Sequence, residues 1–184
     1  MENLYARRNF LKKVALAGSG VAFLSSTSIL QAFNGNDCPY EGYNPYSEEK
    51  TDLRASVFSG NHITITGKVY SKSNLNPVSN AIVEVWHLSP NSKRYRHQAK
   101  MKVNQNGEYT FITDFPNREL GRYPKVFFKI TDGHKVTFTE LSISNNNAYV
   151  NQKHYEENIE LGNNLFPTNK TINNQQIITF NNLI

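Results

Sequence analysis

Three consecutive pieces of the chain decide its fold: His62-Ile63-Thr64-Ile65-Thr66-Gly67-Lys68-Val69-Tyr70, the turn Asn76-Pro77-Val78-Ser79-Asn80, and Ala81-Ile82-Val83-Glu84-Val85-Trp86-His87-Leu88. The first alternates apolar and polar residues through Ile63, Ile65 and Val69, which is the period of a half-buried strand over His62–Val69. The third is apolar on both faces apart from Glu84, as expected of a central strand over Ala81–Leu88. Pro and Asn between them supply the turn.

The same alternation recurs in other segments. Glu108–Thr113 presents Tyr109 and Phe111 on one side, and Val126–Thr131 presents Val126, Phe128 and Ile130. Val136–Ile143 shifts phase between Phe138 and Leu141, which predicts a bulge. Gln175–Phe180 is a weaker last strand. Turn formers separate the segments, as in Asn104-Gln105-Asn106-Gly107 and Asp132-Gly133. Tyr149–Leu161 holds a short helix at most, and the Asn-rich stretches Asn145–Asn147 and Asn163–Asn174 read as loops. Frequent turns between short strands predict an all-β protein, an antiparallel β-sandwich, over residues 59–184. Residues 33–58 carry Gly, Pro and aromatics without a period and read as an extended, irregular N-terminal arm.

The 184 residues fit one such domain, with room for an export signal. The start of the chain has the shape of a signal peptide over residues 1–32. Arg7-Arg8-Asn9-Phe10-Leu11-Lys12-Lys13 is followed by an apolar run from Val14 to Leu24 and a small-residue end near Ala32. That run is too short for a comfortable membrane span. The arginine pair before Phe-Leu-Lys resembles the twin-arginine signal, which exports folded proteins, so a periplasmic location is expected. Four basic residues and one acid lie in this segment, so most of the net charge of +5 leaves with it. The remaining charges are mixed, which argues against a nucleic-acid surface. No stable membrane span is expected after signal removal, and an oligomer is compatible with such a sandwich. The single cysteine, Cys38, allows no internal disulfide and no cysteine metal cluster.

The Pro-Val turn, Ala81-Ile82-Val83-Glu84 and Val85-Trp86 resemble the intradiol ring-cleavage dioxygenases. So do the arm motifs Glu41-Gly42-Tyr43-Asn44-Pro45-Tyr46 and Asp52-Leu53-Arg54, and the strand Asn106-Gly107-Glu108-Tyr109-Thr110-Phe111-Ile112-Thr113. The likeness runs over roughly residues 39 to 143. It implies a transthyretin-like sandwich in which ferric iron, Fe(III), held by two tyrosinates and two histidines, activates a catechol-type aromatic for attack by oxygen. Tyr95, in Arg94-Tyr95-Arg96-His97, matches the first tyrosine ligand, and Arg122 matches the family's catalytic arginine. Tyr123 offers the second phenolate if its loop is shifted. Counted forward from Pro116, that position falls instead on Glu119.

The family's histidines form a His-x-His, a spacing that turns both rings to one side of a strand. Here the strand reads Lys125-Val126-Phe127-Phe128, so Lys125 and Phe127 stand at the histidine positions. A protonated ammonium repels a cation and a phenyl ring has no donor. A rebuilt site would have to draw on Tyr95, Tyr123 and one of five histidines. Of these, His62 reads as a solvated strand end, His87 as a packed or rim residue, and His97 as a solvated loop residue. His134 and His154 read as solvent-facing. The sequence therefore carries two expectations: a ring-opening dioxygenase, or a non-catalytic sandwich that kept the fold, lost the metal and serves as an exported binding or structural module.

Overall fold

The computed structural model describes residues 38–184; the expected export segment, and the start of the arm, lie outside the described residues. The strands are β1 His62–Tyr70, β2 Ile82–His87, β3 His97–Lys102, β4 Glu108–Asp114, β5 Lys125–Asp132, β6 Lys135–Ile143, β7 Ala148–Val150, β8 Thr168–Ile172, β9 Gln175–Thr179 and β10 Asn182–Leu183. One α-helix, α1, spans Gln152–Asn158, and a 3-10 helix follows over Ile159–Leu165. The Asn151 side chain caps α1 by accepting from the His154 N–H at 2.7 Å.

One sheet runs β3-β2-β5-β6-β7 and is antiparallel throughout. In the other, β1 pairs antiparallel with β4 and parallel with β9 and β10, and β8 flanks β9. Inward residues of both sheets form one core. Phe128 on β5 is fully buried, with ring centroids 5.0 Å from Phe180 and 6.3 Å from Phe111 and Tyr109. The architecture is the all-β sandwich that the alternation predicts.

β1 needs Gly67. A Cβ there would collide with the Phe180 carbonyl, because the C-terminal segment crosses the strand at this point. The crossing is held by Phe180 N–H to Thr66 O at 2.8 Å, Lys68 N–H to Asn181 Oδ1 at 2.9 Å, and the Tyr109 hydroxyl to Phe180 O at 2.6 Å.

Four strands escape the sequence reading. β3, His97-Gln98-Ala99-Lys100-Met101-Lys102, buries only His97, Ala99 and Met101, and its polar face disguises it. β7 and β10 are too short to show a period. β8 lies inside the Asn-rich stretch expected to be loop; it is mostly exposed and gains its hydrogen bonds as the outer partner of β9. The expected bulge in β6 is absent, since β5 and β6 pair without interruption from Lys125↔Ser142 to Asp132↔Lys135. The phase shift has another cause. Phe138 faces outward, where the Tyr43 ring meets it edge-on at 6.5 Å. The outer face of this sheet is thus also covered.

Candidate functional site

The arm covers that outer face. From Cys38 to Phe58 it holds no strand beyond the isolated bridges Glu49↔Lys100 and Asp52↔Ile112, yet several of its side chains pack on the sheet. Tyr40 stacks on Phe127 at 4.8 Å, and Tyr43 and Phe127 lie 5.1 and 5.7 Å from Trp86. Trp86 donates its indole N–H to Glu41 O at 2.8 Å. The Tyr43 hydroxyl joins Glu84 at 2.9 Å and Lys129 at 2.6 Å, while Lys129 and Glu84 pair at 2.8 Å. This tyrosine, carboxylate and ammonium satisfy one another beside the aromatic cluster.

Alternation along β5 places Lys125, Phe127 and Lys129 on this same face. Phe127 is 9% exposed, packed among Tyr40, Trp86 and Tyr95. Lys125 Nζ donates to Glu140 Oε1 at 2.7 Å. The residues at the two histidine positions are therefore both engaged in contacts that hold the arm and sheet together.

The structure does bring the positions assigned by the resemblance into one place. Tyr95, Glu119, Arg122, Tyr123, Lys125 and Phe127 line a single cleft of about 20 Å³. That space holds about one water, whereas small-molecule sites measure roughly 300–1,000 Å³. Tyr95 lies against Gly42, whose φ of +80° and missing Cβ let the ring sit there; a methyl at that position would fall inside the ring. Burial, with the negative charges of Glu41 and Glu119 adding to it, raises the Tyr95 hydroxyl above the ordinary tyrosine value, so it is held as the neutral phenol. Tyr123 is 58% exposed and leans on Tyr149 at 5.7 Å. Arg122 pairs with Glu119 at 3.1 Å on the surface.

Ferric iron does not fit this set. Two of the four positions carry a paired ammonium and a packed phenyl ring, and the Tyr95 phenol is biased against ionising. The histidines cannot be recruited to rebuild it, and three of their expected placements need correction. His97 opens β3 rather than lying in a solvated loop; it is 7% exposed and bonded to Asp114. His154 is fully buried rather than solvent-facing, because α1 packs it under the sheets against Phe180 at 4.7 Å and Thr139 at 3.0 Å. His62 is not a solvated strand end: its Nε2 lies 3.2 Å from both Ser59 O and Asp114 Oδ1. His87 is packed, as one of its two readings has it, between Leu88 O at 2.8 Å and Thr113 Oγ1 at 2.7 Å. His134 is exposed in its turn. Among the described residues, no three His, Cys, Asp or Glu side chains converge to hold a metal ion.

Solved structures share this fold. The dioxygenase domain of a dioxygenase carbohydrate-binding protein fusion from Streptomyces sp. SirexAA-E superposes with a TM-score of 0.60 at 18% identity, over 79% of this chain and 94% of that one. An intradiol ring-cleavage dioxygenase from Tetranychus urticae gives 0.55 at 14% identity, over 79% and 90%. The 3-chlorocatechol 1,2-dioxygenase of Rhodococcus opacus 1CP gives 0.57 at 15% identity, over 79% and 69%. No protein-family model matches the chain, and no curated protein matches it. The chain thus has the fold of the intradiol dioxygenases at low sequence identity.

Proposed function

We propose that this chain is a divergent member of the intradiol dioxygenase family that has kept the sandwich, given up ferric ring opening, and acts as an exported binding or structural module. One observation carries the reading: Lys125 and Phe127, at the histidine positions, are committed to Glu140 and to the Tyr40–Trp86 cluster. Each is a structural part rather than an unused relic of a ligand. A cleft of about 20 Å³ leaves no room for a catechol-type aromatic beside Tyr95.

The test is oxygen uptake on catechol and 3-chlorocatechol by protein expressed with added iron. The expected result is no uptake above buffer and no ring-opened product. Turnover lost in Tyr95→Phe would overturn the reading. Export is tested separately by cell fractionation: replacing Arg7 and Arg8 by lysine should retain the protein in the cytoplasm, and unchanged export would refute the twin-arginine assignment.

A further inference from the structure

A second cleft, of about 680 Å³, shares no lining residue with the Tyr95 cleft. Its volume is that of a small-molecule site. Ser89, His97 and Asp114 form part of its wall, and they are only 6%, 7% and 4% exposed. Arg54, Ser59 and Arg96 line it as well.

The three buried side chains form a directed chain. Asp114 Oδ2 lies 2.8 Å from His97 Nε2 and 2.8 Å from the Ala55 N–H. Burial alone would push this carboxyl up. The hydrogen bonds that the carboxylate accepts from the Ala55 N–H and from His97 oppose this, and the carboxyl is held below the ordinary carboxylate value. An ionised Asp114 accepts only, so it fixes the His97 proton on Nε2 and leaves the Nδ1 lone pair free. That nitrogen lies 2.9 Å from Ser89 Oγ and accepts its proton. Ser89 Oγ in turn accepts the Arg96 N–H at 3.1 Å, a dipole that favours negative charge on the oxygen. Behind His97 the His87 ring stacks at 4.8 Å, itself tied at both nitrogens. The imidazole is thus positioned on every side.

A nucleophile bonded to a base, with the base oriented by a third group, is the arrangement of an activated serine; here the two ring nitrogens are exchanged relative to serine proteases. We propose that Ser89, His97 and Asp114 form a hydrolytic centre for small carboxylic esters, with Arg96 as the cation available to the developing oxyanion. Among the described residues the Arg96 guanidinium makes no ion pair. Ser89 Oγ bonds to the ester carbonyl carbon as its proton passes to His97 Nδ1. The bond to the alkoxy oxygen then breaks, and the alcohol leaves with that proton. Water attacks the acylated serine, giving its proton to His97, which returns it to Ser89 as the acid departs. Ester and water become acid and alcohol, with no oxidant or metal needed. Asp114 is a positioning residue throughout. The inference goes beyond the proposed function and fails independently of it, because iron and ring cleavage are read at Tyr95.

The test is p-nitrophenyl acetate hydrolysis together with labelling by a fluorophosphonate probe, followed by peptide mass mapping of the folded wild-type protein. The expected result is one adduct, on Ser89, and hydrolysis lost in Ser89→Ala with an unchanged circular dichroism spectrum. Asp114→Asn should lower kcat by a factor of about 100 or more with little change in KM, following the effect of removing the orienting carboxylate elsewhere. Folded wild-type protein that gains no Ser89 adduct, or hydrolysis that persists in Ser89→Ala, would overturn the proposal. The adduct on wild-type protein decides the matter even if a variant fails to fold.

Discussion

Lys125 on β5 and Glu140 on β6 form a diagonal cross-strand ion pair of 2.7 Å, two residues removed from direct register (Glu140 lies opposite Phe127), on the face where the resemblance expects an imidazole. Glu140 is 11% exposed, and this ammonium is its ion-pair partner. Removing the lysine strands a carboxylate at low exposure. Lys125→Met should cost about 1–3 kcal/mol, and Lys125→Met with Glu140→Gln should recover most of that loss. Urea unfolding of both singles and the double measures the coupling; strictly additive losses would show that the pair is idle.

Phe127 should matter more. It is the ring on which the arm rests, through Tyr40 at 4.8 Å. Phe127→Ala should cost about 3–5 kcal/mol. It should also release the arm, so that limited proteolysis cuts between Cys38 and Phe58 before the strands are lost.

Gly42 is the tightest point of the arm. Adding a methyl meets the Tyr95 ring and must be borne at a positive φ. Gly42→Ala should cost about 1–3 kcal/mol by overpacking alone, while Tyr95→Phe stays within about 0.5 kcal/mol, since that hydroxyl makes no hydrogen bond among the described residues. Thermal unfolding separates the two.

Two buried histidines set the acid limit. Burial lowers His87 to about 3, against a smaller upward pull from its bond to Leu88, and lowers His154 to about 4, each from an ordinary 6.5. Both are neutral in the folded protein, while the unfolded chain takes up protons below 6.5. Their contribution is complete above 6.5 and is lost as pH falls towards 4 for His154 and towards 3 for His87. Stability measured between pH 7 and pH 4 should therefore fall with acid, and His154→Gln should flatten that slope; an unchanged slope would contradict the assignment.

The sandwich was legible because a core strand imposes a period of two on its residues. β1 and β4 follow it most clearly, while β2 is legible as a central strand buried on both faces. The missed strands are those whose reason lies elsewhere in the chain. β8 exists because β9 offers it an edge, and β3 because β2 does. The arm misled most. Since Tyr40 and Tyr43 cover the outer face of β5 and β6, outward Phe127 and Phe138 resemble core residues, and the apolar pattern of β6 shifts phase. His97 and His154 were misplaced for the same kind of reason: their partners, Asp114 and Thr139, lie 17 and 15 residues away. The positions that the likeness assigns lie together around one cleft; spacing alone gave no sign of the Ser89–His97–Asp114 chain.

Whether the Tyr95 cleft holds iron is decided by the iron content of the folded protein, purified after expression with added iron, alongside its visible spectrum. Far less than one iron per chain and no tyrosinate-to-iron band are expected. One tightly held iron per chain, with a band that disappears in Tyr95→Phe, would contradict that expectation.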